Sequence, residues 1–261
     1  MTKITKAVIL ARGLGTRMKA QNGNETLNPE QAKIANLGIK TLMPIANGKT
    51  LLDFIFENLH SSGFTEICLV IGEEHQNIRD FCATKPYKIS YAIQPKPLGT
   101  ADAVLSSEKF VGDDLFLTVN SDNLYPVNAL QQLNNSNQAG LIAFTRKDLI
   151  KQSNISAEKI AKFAVIELDE NDYLQKIIEK PRQVFDEAFI SMNAWVFSPK
   201  IFTACRNIKP SIRGEFELAD AVMFAIENLG EKFKAVKSNE GVLDLSNRAD
   251  IQSVAQKLAK L

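Results

Sequence analysis

"AVILARGLGTRM" (residues 7–18) places a short apolar run, Ala7 to Ala11, directly before a loop with two glycines, a threonine and an arginine. An apolar run of this length that stops at glycine reads as a buried strand. A glycine-rich turn after a strand lets backbone N–H groups approach a phosphate, because glycine has no Cβ in the way and tolerates positive φ. Two familiar loops of this kind fail here. The dinucleotide fingerprint needs a third glycine where Met18 stands, and the ATPase loop needs Gly-Lys-Ser/Thr where the chain has Gly15-Thr16-Arg17. What remains is a G-x-G-T-R loop, in which the arginine fork can hold phosphate oxygens while the amides wrap them.

Working outward, short β-branched runs alternate with segments of helical period, the pattern of a mostly parallel sheet covered by helices. Leu51, Leu52, Ile55 and Leu59 recur at helical spacing and stop at Gly63, and "EICLVIG" (66–72) then reads as a second buried strand. "ADAVLSSEKF" (101–110) predicts a helix, and "DLFLTVNSDN" (114–123) a central strand running into a polar tip. In the second half "GLIAFT", "KFAVIEL", "LQKIIEK" and "ISMNAWVF" lie close together, which predicts an antiparallel extension of the sheet. "FELADAVMFAIENLG" (216–230) predicts a helix capped by Gly230. No low-complexity linker or repeat interrupts residues 1–261, which read as one domain.

With 31 Lys+Arg against 30 Asp+Glu, the net charge of +1 gives no field suited to a long polyanion or an anionic bilayer, so neither nucleic acid nor membrane is the expected partner. A small-molecule ligand is expected instead. Self-association is compatible with the composition and not specified by it. The cysteines Cys68, Cys82 and Cys205 are odd in number and show no framework spacing, and the first residues lack a signal-peptide pattern. A reduced, cytoplasmic setting is the expectation.

Leu10-Ala11-Arg12-Gly13-Leu14-Gly15-Thr16-Arg17-Met18 resembles the L-A-x-G-x-G-T-R-M signature of the sugar-1-phosphate nucleotidyltransferases. Further family-like pieces follow in the family's order: "IKTLMPIANGKTLLDFIFENL" (39–59), "QPKPLGTADAV" (94–104), "NSDNLYP" (120–126), "IIEKP" (177–181), "SMNAWVF" (191–197), "GEFELADAV" (214–222) and "VLDLSNRADI" (242–251). The resemblance implies a single-domain α/β fold of the nucleotide-diphospho-sugar transferase (GT-A, Rossmann-like) type, with a mixed, mostly parallel sheet flanked by helices. It implies a Mg²⁺-dependent in-line attack of a sugar 1-phosphate on the α-phosphate of an NTP, giving NDP-sugar and pyrophosphate.

The same resemblance assigns roles residue by residue. Ala11, Gly13, Gly15, Thr16, Gln94, Gly99 and Thr100 would bind the nucleotide, with Gln94 reading the base edge and Gly99 beneath the base. Arg17 and Lys40 would neutralise phosphates, Asp122 and Asp244 would hold Mg²⁺, and Glu179, Lys180, Asn193 and Glu215 would bind the sugar phosphate, Lys180 also counting among the catalytic groups. Plainer readings stand beside these: a solvated Lys40, Asp122 and Asp244 capping turns, and Thr100 capping the helix from Ala101. Trp195 and Phe197 read as core, and His60 and His75 as structural or surface residues.

The chain departs from the family pattern at Arg12, where a small residue is usual, and in "KAQNGNETLNPEQAKIANLG" (19–38), which is longer than the compact form. Asn28 as N-cap, Pro29 in the first turn and Gly38 past the end predict a short helix there, read as a lid over the triphosphate. Thr41 and Asn120-Ser121 also depart, which leaves the base and the sugar open. The rivals are a cytidylyltransferase acting on a non-sugar phosphate and a non-catalytic nucleotide- or sugar-binding regulator of the same fold.

Overall fold

The computed structural model of the chain describes residues 3–20, 25–181 and 183–259. Its centre is a nine-stranded sheet. In chain order the strands are β1 (Lys6–Leu10), β2 (Glu66–Ile71), β3 (Lys88–Ile93), β4 (Phe116–Asn120), β5 (Gly140–Thr145), β6 (Val165–Leu168), β7 (Leu174–Ile178), β8 (Phe189–Phe197) and β9 (Lys234–Ser238). β1 pairs in parallel with β2 and β4, and β2 with β3, so that Leu10 stands level with Val70 on one side and Asn120 on the other. All four strands therefore deliver their C-terminal ends, and the loops that follow, to one edge.

β1 is apolar on both faces because both are covered. Ala7 and Ile9 belong to one core, which takes in Leu51, Ile55 and Phe56 of helix Leu51–Ser61, while Val8 belongs to the other, with Val104, Trp195, Phe197 and Val222. Trp195 and Phe197 are buried there in an aromatic cluster with Phe116, Phe202 and Phe233, as their alternation predicts. β8 runs antiparallel to β4 and carries β5 and β6, which gives the antiparallel extension. No described helix is long and apolar enough to cross a membrane. Cys68, Cys82 and Cys205 are unpaired and buried.

One helix differs from expectation and one forms as expected. The helix predicted over 101–110 breaks into Thr100–Ser106 and Glu108–Val111, because the Ser107 hydroxyl, fully buried, donates back to the Val104 carbonyl at 2.7 Å. The helix inside the 19–38 stretch forms over Pro29–Leu37 with the expected ends: Asn28 and Gln31 make a reciprocal capping box, and Gly38 closes it at φ 74. This helix is tied down. Gln31 Nε2 donates to the Pro44 carbonyl at 2.9 Å, and Arg248 reaches Asn36 Oδ1 at 2.7 Å and the Met18 carbonyl at 3.0 Å.

The closing Gly38 packs directly on the first loop. Gly15 has φ 62, and a Cβ built on it would lie 2.1 Å from the Gly38 carbonyl oxygen. By contrast, a Cβ on Gly13 would meet nothing within 4 Å. Gly15→Ala is therefore expected to cost about 2–4 kcal/mol of stability in urea unfolding, through left-handed strain and backbone overlap together. Gly13→Ala should stay within about 0.5 kcal/mol. Equal effects of the two substitutions would refute this reading of the loop.

Candidate active site

The strand ends enclose a cavity of about 420 Å³. Its walls come from the loops that follow β1, β2, β3 and β4 and the segment Gly38–Thr41, together with Glu215. Ala11, Gly13, Gly15, Thr16, Arg17, Lys40, Gln94, Gly99, Thr100, Asp122 and Glu215 all line it. Asn193, Glu179, Lys180 and Asp244 are not among its wall residues.

At the β4 end of the cavity the Lys40 ammonium donates to Asp122 Oδ2 at 2.9 Å. Both side chains are only partly exposed, 16% and 26%, so the pair is less screened than one on the open surface. Asp122 is placed by its backbone: Ser121 N–H bonds the Leu10 carbonyl at 3.2 Å, and the Asp122 carbonyl accepts from Leu245 N–H at 2.8 Å. Beside this pair the buried Thr41 hydroxyl has no hydrogen-bond partner among the described residues. Arg17 stands exposed on the one-turn helix Thr16–Lys19 that opens from Gly15.

Asp244 is brought near Asp122 by a short antiparallel ladder in which Asn123–Leu124 pairs with Leu243–Asp244. Its carboxylate is buried and already engaged. Lys159 Nζ donates to Oδ1 at 2.5 Å and Asn123 Nδ2 to Oδ2 at 3.1 Å, while Asn154 brackets the Asp244 backbone with two bonds of 2.8 Å. Lys159 sits on the one-turn helix Ala157–Ile160, far away in sequence. Nothing in the sequence around it points to this contact. Among the described residues no cluster of three or more His, Cys, Asp or Glu has the arrangement of a metal site.

At the opposite end, Gln94 is buried and its Nε2 donates to both the Gly99 carbonyl, at 3.1 Å, and Asp102 Oδ2, at 2.7 Å. Gly99 has φ 116, and a Cβ on it would lie 2.5 Å from the Phe216 carbonyl oxygen, so the segment carrying Glu215 closes against this turn. Thr100 is not the cap of its own helix, which begins at Thr100 after Gly99. Its hydroxyl accepts from Leu218 N–H at 3.0 Å and so serves the first turn of the neighbouring helix Leu218–Leu229. Gly99, with positive φ and extended ψ, holds the N-cap place, so Thr100 is already helical.

His75, read from sequence as structural or surface, lines the cavity, and its Nδ1 accepts from Gly72 N–H at 2.9 Å. Burial holds its pKa below the ordinary histidine value. The lid expected of residues 19–38 is not seen in the described part. Residues 25–37 contribute nothing to the cavity wall, and the helix instead braces the first loop through Gly38; residues 21–24 lie outside the described residues.

Of the residues read as sugar-phosphate ligands, Glu215 lines the cavity and Glu179, Lys180 and Asn193 do not. Lys180 and Asn193 have φ 46 and 58, uncommon for residues with a side chain, and Asn193 falls where the β8–β5 register shifts between Ser191 and Trp195. The Asn193 side chain accepts from Trp195 Nε1 at 3.4 Å. The Glu179 carboxyl is raised above the ordinary value, first by desolvation and then by Glu217.

Two expectations follow. Lys159→Met strands the buried Asp244 carboxylate and should cost on the order of 3 kcal/mol in urea unfolding, with most of it recovered by adding Asp244→Asn. No loss, or no recovery, would mean that the pair is not a buried ion pair in solution. A carboxyl raised in the folded state destabilises it as pH climbs past the unfolded value of 4.5. Glu179→Gln should therefore stabilise the protein at neutral pH, and the gain should vanish as pH falls to the unfolded value. A gain unchanged across that range would contradict the assignment.

A family model described as Nucleotidyl transferase matches residues 6–260. The low-salt glycan biosynthesis nucleotidyltransferase Agl11 of Haloferax volcanii is 30% identical over 231 residues, covering 85% of this chain and 57% of that protein. The glucose-1-phosphate thymidylyltransferase of Streptomyces antibioticus is 29% identical over 252 residues, covering 95% of this chain and 65% of that protein. The chain spans about half the length of the first curated relatives it matches. A solved UDP-glucose pyrophosphorylase complexed with UDP-glucose superposes with a TM-score of 0.76 at 19% identity, over 98% of this chain and 99% of that one, a likeness of fold. With a family match that runs from the first strand nearly to the end, and a G-x-G-T-R loop opening onto the cavity at the sheet edge, the chain belongs to the nucleotidyl transferase family.

Proposed function

We propose that the chain transfers a nucleotidyl group from an NTP to a sugar 1-phosphate, giving NDP-sugar and pyrophosphate. The observation that carries this reading is the convergence of Arg17, Lys40 and Asp122 with the G-x-G-T-R loop on one cavity wall. Joining two anions requires their charge to be neutralised before one oxygen can approach the other's phosphorus. The loop amides and Arg17 would take the β- and γ-phosphates, and Lys40 would lie against the α-phosphate.

The residues present fit a hard divalent cation. Asp122 keeps one carboxylate oxygen clear of Lys40. Mg²⁺ asks for one or two carboxylates and takes its remaining ligands from phosphates and water. Asp122 would hold it, with Asp244 as the second carboxylate once one of its oxygens is released from Lys159 or Asn123. When bound, the ion supplies neutralisation of the phosphate charge that develops in transfer.

The acceptor phosphate is ionised at neutral pH, so no general base is needed. Its oxygen forms a bond to the α-phosphorus while the bond from that phosphorus to the α–β bridging oxygen breaks, and pyrophosphate carries the electron pair away. Glu179, Lys180, Asn193 and Glu215 are proposed as the acceptor side. Only Glu215 of these is in the cavity wall, so the acceptor would lie between Glu215 and the segment Glu179–Lys180.

The similarity to a glucose-1-phosphate thymidylyltransferase and to the UTP–glucose-1-phosphate uridylyltransferase AglF of Haloferax volcanii supports a hexose 1-phosphate as the acceptor class, glucose 1-phosphate first. A solved inositol-1-phosphate CTP transferase shares the fold with a TM-score of 0.74 at 19% identity, so an alcohol phosphate belongs in the same test.

Pyrophosphate release with Mg²⁺, measured for each common NTP against hexose 1-phosphates and inositol 1-phosphate, checks the reading. One pair should release pyrophosphate, and Asp122→Asn and Arg17→Ala should each lower the rate about 10²–10³-fold. Silence across the panel with nucleotide binding intact would favour a binding protein. Release unaffected by Asp122→Asn would remove Asp122 from the chemistry.

A further inference from the structure

Just past β4, the stretch Asp122–Tyr125 reaches three separate parts of the molecule. Asp122 pairs with Lys40, and the buried Asn123 donates from Nδ2 to Asp244 Oδ2 at 3.1 Å. The hydroxyl of Tyr125, also buried, donates to the Met192 carbonyl of β8 at 2.6 Å, and Asn123 Oδ1 lies 3.5 Å from the same hydroxyl. Asn58 Nδ2 donates to the Tyr125 carbonyl at 2.9 Å, so the backbone of the tyrosine is held as well as its ring.

Met192 stands where β8 leaves its neighbours. The ladder with β4 stops at Trp195 and Thr118, and on β5 the register jumps from Ser191–Ala143 to Trp195–Leu141, so three residues of β8 stand against Ile142 alone. Met192, Asn193 and Ala194 have no register partner on β4, β5 or β6. Asn193, in the middle, is left-handed at φ 58, a conformation that asparagine tolerates better than most residues. A bulge re-aims the side chain it carries, and where no ladder fixes it, other contacts must. Here the Tyr125 hydroxyl orients the Met192–Asn193 peptide. Trp195 Nε1 donates to Asn193 Oδ1 at 3.4 Å, which leaves the Asn193 Nδ2 hydrogens as the donors for a ligand oxygen.

Resting on the acceptor side proposed above, we infer that Tyr125 is a positioning residue for the acceptor sugar: its hydroxyl fixes the Met192–Asn193 peptide, and with it the Asn193 amide, relative to Asp122. The tyrosine acts through Asn193. Phenylalanine at this position fills the same space and leaves the buried Met192 carbonyl without its donor, so the bulge loses the bond that orients it. The loop Gly13–Arg17, which Tyr125 does not contact through any hydrogen bond, keeps its place.

Equilibrium binding to the full chain of UDP-, dTDP-, ADP-, CDP- and GDP-glucose, each beside its own nucleoside diphosphate, separates the sugar side from the nucleotide side without turnover. The unsubstituted protein should bind one NDP-glucose more tightly than its diphosphate. Tyr125→Phe should weaken that NDP-glucose on the order of 10-fold, the upper range for one neutral hydrogen bond, and leave the diphosphate within about 2-fold. Asn193→Gly, which keeps the left-handed turn without the amide, should show the same selective loss, and the double variant should be no more than about 2-fold worse than Asn193→Gly alone. Thermal melts check that each variant folds. Equal weakening of both ligands by Tyr125→Phe would make the tyrosine a general scaffold residue, and additive losses in the double variant would mean that it does not act through Asn193; either overturns the inference. So does an Asn193→Gly variant that binds NDP-glucose normally, however Tyr125→Phe behaves, or an unsubstituted chain that binds no NDP-glucose better than its diphosphate. The selective losses with no pyrophosphate release from any NTP and acceptor pair would leave the inference standing and the transferase reading refuted.

Discussion

The parallel pairing of β1 with both β2 and β4 carries the rest of the structure. Because Leu10, Val70 and Asn120 share one level, the chain exits three adjacent strands at one edge and must place three loops there. Open α/β sheets bind ligands outside the carboxyl ends of their strands for this reason. The two cores on either face of β1 flank those exits, and most of the polar groups lining the cavity lie on the segments just beyond them.

The cavity that results is polarised along the sheet edge. On the β4 side stand Lys40 and Asp122, with Thr41 beside them; on the β2–β3 side stand Arg12, His75 and Gln94. A nucleotide has the same two halves, a charged phosphate chain and a flat base with donors and acceptors on its rim. The loop Gly13–Arg17 lies between, held from behind by Gly38 and Arg248. The additional helix Pro29–Leu37 thus has a mechanical role in the described structure: it fixes the loop that would meet the phosphates.

What was legible in the sequence was what local pattern dictates. The apolar run before Gly13, the helix ends at Asn28, Gly38 and Gly230, and the polar tip after Val119 all follow from spacing and from residues with strong backbone preferences. The resemblance added the order of the pieces. Contacts between segments distant along the chain were not legible: Lys159 on Asp244, Thr100 on Leu218 and His75 on Gly72 depend on how the elements pack. Ser107 shows the same limit at short range, since a buried hydroxyl with no partner but its own helix breaks a segment whose period reads as continuous. Arg12 was visible as a departure, yet its direction was set by Gly72, which leaves room for a guanidinium that any side chain would have displaced.

The most direct measurement is a crystal structure of the full chain with an NTP and Mg²⁺. Expected is a nucleotide lying along the sheet edge, its phosphates on the Gly13–Arg17 loop with the ion at Asp122, and its base against Gln94. A nucleotide bound in the reverse sense, or outside this cavity altogether, would contradict the assignment of the two halves of the site.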